Sequence, residues 1–254
     1  MKTTITLLKL SAIVGLFLTL PLQVVLAVDI YVCGTETVTL KYSGGYELQS
    51  GDKLIWIKDG DGGEAVETVY NGTPGSADYA VPLAEITAPG SHTYTAHVMS
   101  PDPASCSGDV SNTVEIIRLP ELTLSLDASL AQYCAEESGT DAGESTITAT
   151  TTATSLPAEI LLEYSWTATK GGAPVDPLTE IGTSEANNPT AQDLTNTFTL
   201  TSSEDGVYAF NATVQYAAAD ANGVTIKGGC SYNSTEPATV TVTPKPGTPT
   251  ITVE

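Results

Sequence analysis

Positive charge is what this chain has least of. Nine Lys and Arg residues stand against 30 Asp and Glu, a formal charge of −21 over 254 residues. A surface that acidic repels phosphates instead of releasing their counterions, which excludes nucleic acid as a partner. Two His, four Cys, two Trp and two Met leave few parts for catalysis. A nucleophilic Ser or Thr needs a base and an orienting acid, and the only two histidines, His92 and His97, lie beside no Gly-x-Ser-x-Gly turn. Five apart on an expected strand, they point to opposite faces, and neither has a Cys or second His at metal-ligand spacing. No pair of carboxylates stands out among the acids as glycoside hydrolysis would require. The chain reads as non-enzymatic, with no cofactor apart from the calcium alternative below.

Thr, Val, Ser, Tyr and Ala are abundant, and 22 Gly and 15 Pro punctuate them. That composition predicts an all-β protein. Residues 1–27 open with Lys2 and Lys9, run apolar from Leu10 to Leu22 and close on Val25-Leu26-Ala27, the pattern of a secretory leader cut after Ala27. Cleavage leaves 227 residues with seven basic and 30 acidic side chains, a formal charge of −23. No later run is apolar for long enough to cross a membrane. The expected location is therefore extracellular, secreted or at the cell surface.

Alternation marks the strands. Val38, Leu40 and Tyr42 alternate with polar neighbours, and Leu54-Ile55-Trp56-Ile57 precedes the turn Lys58-Asp59-Gly60-Asp61. Further along, Ile160, Leu162, Tyr164 and Trp166 share one parity, as do Tyr208, Phe210, Ala212, Val214 and Tyr216. Short strands with regular turn signals predict sandwiches of two antiparallel sheets. Four cysteines in an exported chain allow three pairings. Their order favours Cys33 with Cys106 and Cys134 with Cys230, one bridge on each side of the Pro120 stretch.

Cys-Gly-Thr-Glu-Thr-Val-Thr-Leu at 33–40, Leu-Ile-Trp-Ile-Lys-Asp-Gly at 54–60, Gly-Ser-His-Thr-Tyr-Thr-Ala-His-Val at 90–98 and Ser-Cys-Ser at 105–107 resemble the immunoglobulin-like or PKD-like repeats of bacterial, Bacteroidetes-type, surface adhesins. Cys134, Trp166, Glu204-Asp-Gly-Val-Tyr208 and Gly229-Cys-Ser231 form a second copy. Glu204-x-Gly206-x-Tyr208 also resembles the tyrosine corner of immunoglobulin folds. The resemblance implies two tandem immunoglobulin-like β-sandwich domains, at 28–119 and 120–246, each with one internal disulfide. Trp56, Trp166, Tyr94 and Tyr208 are the expected core anchors. Antibody domains carry a cysteine two residues after the corner Tyr, where this chain has Ala96 and Phe210. Its bridges are therefore expected to join strand ends or loops.

Pro249-Thr-Ile251-Thr-Val253 repeats the spacing of Pro120-Glu-Leu122-Thr-Leu124, which opens the second unit. Residues 247–254 thus read either as the first strand of a third domain or as a donor strand, Thr250, Ile251, Thr252 and Val253, added to another subunit. The first unit has few residues ahead of Cys33 and is expected to be one opening strand short. Asp59, Asp61 and Glu64 offer oxygen ligands for calcium, although a Gly-rich hairpin turn explains them equally well. Tyr42, Tyr46, Tyr70 and Tyr79 offer an aromatic platform for a sugar ring. Sequons at Asn71, Asn211 and Asn233 mark surface positions. The function expected is a non-catalytic structural or adhesion protein built of tandem modules. Its alternatives are a filament subunit assembling by strand donation and a glycan-binding module. Partners are extracellular proteins or glycans, or further copies of the chain.

Overall fold

The computed structural model describes residues 30–60, 63–102, 107–135, 143–219, 224–228, 230–247 and 249–252. The leader, Asp61, Cys106 and Val253 lie outside them. The strands of the first module are β1 (Ile30–Val32), β2 (Val38–Leu40), β3 (Lys53–Lys58), β4 (Ala65–Val69), β5 (Tyr79–Val81), β6 (Gly90–Met99) and β7 (Val114–Arg118). Those of the second are β8 (Thr123–Ala128), β9 (Gln132–Cys134), β10 (Ser145–Thr152), β11 (Ile160–Lys170), β12 (Ala173–Val175), β13 (Gly182–Ser184), β14 (Thr195–Leu200), β15 (Gly206–Ala218), β16 (Thr225–Lys227), β17 (Ser231–Asn233) and β18 (Ala238–Thr243). The described residues contain no α-helix, only short 3-10 turns such as Leu83–Ile86.

In the second module the order β13-β14-β10-β8 packs against β12-β11-β15-β18-β9. This is the strand order of an immunoglobulin sandwich, with its opening strand shared between the sheets as β8 and β9. Alternation produces it: Tyr208, Phe210, Ala212, Val214 and Tyr216 on β15 all face inward, as do Ile160, Leu162, Tyr164 and Trp166 on β11. Leu161, of the opposite parity, is buried as well. Trp166 donates from Nε1 to Asn196 Oδ1 at 2.8 Å and tilts against Phe198, which packs on Phe210. Phe210 thus occupies the place where an antibody domain has a sheet-to-sheet cysteine.

The first module has the matching sheet β1-β7-β6-β3-β4, opposed among the described residues by two strands, β2 and β5. Trp56 pairs across the ladder with Ala96 as Trp166 does with Ala212, so the two modules superpose through one register. Both sheets share a further device: Ser111 Oγ accepts from the Ala96 amide, and Ser234 Oγ from that of Ala212. The same register corrects the expected corner. Tyr208 donates to the carbonyl of Glu204, four residues back, and its equivalent is His92, whose Nε2 donates to the Ala88 carbonyl at 3.1 Å. Tyr94 corresponds to Phe210. It is a core ring, 2% exposed, and its hydroxyl donates to Glu85. Gly90 and Gly206, at φ 126° and 147°, start the two strands in a conformation that disfavours any side chain.

The expected pairing of cysteines is overturned. Cys33 bonds Cys230, 197 residues away, across the two modules, and Cys134 is exposed and outside any disulfide. The cause is β16. Between β15 and β17 the chain leaves the second module and lays β16 parallel to the outer edge of β1, pairing Ile30 with Thr225 and Val32 with Lys227. That excursion delivers Cys230 to the end of β1. The bridge does join a strand end to a loop, as expected, but links different units.

Candidate functional site

Two features of the first module stand out: its joint with the second module and an open groove. At the joint, Tyr31 and Cys33 are fully buried among residues of the second module's core, together with Leu119, Leu122 and Cys230. Tyr31 donates its hydroxyl to Glu159, and the Cys33 amide donates to the Lys227 carbonyl. Arg118 donates from Nη2 to the Gly34 carbonyl. Tyr216, whose hydroxyl donates to the Pro120 carbonyl at 2.6 Å, meets Tyr232 edge-on. Gly228 sits at φ 98° so close to Cys33 that a Cβ there would lie 2.8 Å from its carbonyl oxygen. The excursion therefore requires glycine at this point.

The groove follows from a missing neighbour. In the second module β10 is paired on both sides, by β14 and by β8. In the first, β2 is paired by β5 alone among the described residues. Tyr79 stands beside Trp56 as Phe198 stands beside Trp166, each at 6.0 Å, and this places Leu40 at the position of Ile147. Residues 41–45 follow Leu40 along the chain as 148–152, the stretch that β8 covers, follow Ile147. In the first module residues 41–45 line one wall of an open cavity of about 810 Å³, with Leu54 and Trp56 at its floor and Ser111 to Val114 opposite. The loop above that wall is held by Asp52, a buried carboxylate that accepts from the Tyr46 hydroxyl and the Gln49 amide. That hydrogen bond to Asp52 raises the Tyr46 pKa above its ordinary value.

No family model and no curated protein matches this chain. Among solved structures it is similar to the chicken CNTN1 FN1-FN3 domains, at 11% identity and a TM-score of 0.34, covering 84% of this chain and 65% of that one. It is also similar to the N-terminal four Ig domains of Dscam1 isoforms 4.44 and 6.44, at 9% and 11% identity and TM-scores of 0.24 and 0.28. The alignments cover 78% and 87% of this chain and 43% and 45% of those. The chain thus spans less than two thirds of each of these structures. Strand order, the two tryptophans and the corner define its fold.

The other expected residues are dispersed or absorbed. Asp59 at φ 56° forms a turn in which its carboxylate accepts from the Thr93 amide, and Glu64 is exposed on the far side of that turn. Among the described residues no three His, Cys, Asp or Glu side chains cluster around a point that could hold a metal. Tyr42, Tyr46 and Tyr70 line a hollow of about 280 Å³ beside the groove, but Tyr79 is excluded from that platform. It is buried in the core, stacked on Trp56, with its hydroxyl donating to Glu85. Asn71, Asn211 and Asn233 are exposed. Sequence reasoning missed β16 and the His92 corner. Gly90, two residues before His92 as Gly206 is before Tyr208, was the available signal for the latter.

Burial pushes the phenols of Tyr79 and Tyr94 well above their ordinary value, and that of Tyr133 up to about 12. These groups stay protonated in the folded chain while ionising near pH 10 once unfolded. Their contribution to stability is therefore complete below about pH 10 and is lost as pH climbs from there toward the raised values. The melting temperature is expected to fall between about pH 10 and 12, with the tyrosinate absorbance of these three buried phenols appearing at the unfolding transition and not before it.

Proposed function

We propose that this protein is a non-catalytic extracellular spacer, two immunoglobulin-type sandwiches at 28–119 and 120–246 that hold a fixed relative orientation, with 247–254 as the first strand of a third domain or a donor strand. The observation that carries this reading is the joint: a strand of the second module extends a sheet of the first, and a disulfide closes over it. A flexible linker would let the modules swing, whereas here Leu119 and Leu122 bracket a connection buried from both sides. The disulfide and the leader pattern fit an oxidising, extracytoplasmic setting. The shortage of positive charge suits an exposed surface that stays soluble and resists casual association. His92 is committed to a backbone carbonyl, which fits a structural role rather than proton transfer.

Small-angle X-ray scattering tests this. The oxidised chain is expected to fit one rigid two-module particle, and a Cys33→Ser/Cys230→Ser variant to show a broader distance distribution. An oxidised chain that can be fitted only by many interdomain angles would refute the spacer.

A further inference from the structure

Beside the groove, and sharing Tyr42 and Tyr46 with it as a common wall, lies a smaller concavity. Three phenol rings, Tyr42, Tyr46 and Tyr70, line this hollow of about 280 Å³ together with Asp78. Tyr46 is 51% exposed. Among the described residues no aromatic ring stacks on any of the three and no Lys or Arg lies over one, so the chain itself does not occupy their faces. Nor does any described group hydrogen-bond the Asp78 carboxylate or the Tyr70 hydroxyl.

The rings are held in place by the chain around Asp52. The Asp52 carbonyl accepts from the Tyr70 amide at 2.8 Å, the Tyr70 carbonyl from the Gly51 amide at 2.7 Å, and the buried Asp52 carboxylate from the Tyr46 hydroxyl at 3.0 Å. Tyr42 donates to the Tyr46 carbonyl at 3.0 Å and folds over Gly44, where a Cβ would lie 2.3 Å from its hydroxyl oxygen. The opposite wall is a turn closed by its own bonds: the Thr73 amide donates to Asn71 Oδ1, the Ser76 amide to the Thr73 carbonyl and the Asp78 amide to the Gly75 carbonyl. A site fixed in this way needs little reordering to receive a ligand.

Charge decides what kind of ligand that is. The face of an aromatic ring carries negative charge density and attracts a cation. Here three rings stand with one carboxylate in the lining and a second, Asp52, hydrogen-bonded behind Tyr46, while no lining residue is basic. Lys41 lines the groove and not the hollow. The chain carries −21 in all, so cations are drawn to its surface and anions turned away. At about 280 Å³ the hollow is smaller than the roughly 300–1,000 Å³ of sites that hold drug-sized molecules, which suits one compact head group and not an oligosaccharide. A bare metal ion requires a shell of oxygen ligands, and among the described residues no three His, Cys, Asp or Glu side chains meet to supply one. A methylated ammonium asks for no such shell, because its charge is spread over methyl groups that pack against rings.

We infer that the hollow between Tyr42, Tyr46 and Tyr70 binds a small, free trimethylammonium compound of the choline type, its methyl groups against the rings and its charge facing Asp78. The site shares no residue with the joint between the modules and does not rest on the spacer reading.

Calorimetric titration of the oxidised full chain with choline is the test. Saturable binding with a dissociation constant of about 1 mM or tighter is expected. The neutral isostere of choline, with a quaternary carbon in place of the nitrogen, has the same shape without the charge and should bind roughly ten-fold more weakly. Asp78→Asn should weaken choline by about five-fold and leave the isostere unaffected. Tyr70→Phe keeps the ring and should keep the binding, whereas Tyr70→Leu should weaken choline roughly ten-fold. Melting temperatures check that each variant is folded, and Asp78→Asn and Tyr70→Phe, which preserve volume, decide the matter even where the leucine variant is unstable. Phosphocholine, whose phosphate the acidic surface repels, should bind more weakly than choline, which separates a free cation from a lipid head group. No choline binding at about 10 mM overturns the inference. So do equal binding of the neutral isostere, tighter binding of phosphocholine, a Tyr70→Phe variant that has lost the binding, or a preference for glucose over choline. Titration reads the hollow and scattering reads the joint, so the two proposals fail separately.

Discussion

Replacing both Cys33 and Cys230 by serine is expected to remove about 5 kcal/mol of stability, the chain-entropy value for a loop of this size. The bridge closes 197 residues of the 254, so its removal frees the unfolded ensemble over both modules at once. At about 2–4 °C per kcal/mol for a chain of this length, the first calorimetric transition should drop by roughly 10–20 °C. Its shape should change as well. With the bridge intact, β16 cannot leave β1 without straining the second module, and two modules of comparable stability are expected to melt together. Without it the modules are joined by three register pairs, the Tyr31–Glu159 and Cys33–Lys227 hydrogen bonds and the Tyr31–Leu119–Leu122 contact, and two separate transitions are expected. A single unshifted transition in the double serine variant would mean that the strand pairing alone couples the modules. Both cysteines are changed because one lone serine would leave a buried reactive thiol.

The effect was hidden from sequence for a definite reason. Strand alternation shows where side chains point relative to a sheet, and it located β3, β6, β11 and β15 with their two tryptophans. Alternation says nothing about which module a three-residue strand joins. β16 is Thr-Ile-Lys, bounded by glycine and too short to display a period. The cysteines misled for a related reason: Cys33 and Cys134 occupy the same place in their modules, so order along the chain makes within-module bridges look natural. Only the excursion of β16 decides that Cys230 reaches back. The corner was half legible. Glu204-x-Gly206-x-Tyr208 was visible because its hydroxyl bearer is a tyrosine, while His92 fills the same position with a ring nitrogen that makes the same bond. The groove beside Trp56 was not legible in the sequence, because it needed the paired registers of β2 and β10.

Trp166→Ala is expected to produce the largest loss of any single substitution, about 3–5 kcal/mol. The indole is 9% exposed and packs on Phe198, which in turn leans on Phe210 at 5.1 Å between ring centres. In an antibody domain a disulfide crosses the sandwich here and tolerates some loosening; in this module three rings do the same task by dispersion and burial alone. Truncation leaves a cavity between the sheets and also strips Asn196, 3% exposed, of the donor to its Oδ1. A buried amide oxygen without a partner adds to the cost. Trp166→Phe separates the two effects, since it keeps most of the volume and loses only the N–H; about 1–3 kcal/mol is expected from it. Urea unfolding followed by Trp56 emission and by far-ultraviolet dichroism measures both. Because the Cys33–Cys230 bridge joins the first module to an excursion and not to this core, it cannot hold the second module's sheets together once Trp166 is gone. The first module's tryptophan should then still report a folded environment at denaturant concentrations where strand dichroism has already fallen. Simultaneous loss of both signals would instead make the joint part of a single cooperative unit, with the second module's core as its foundation.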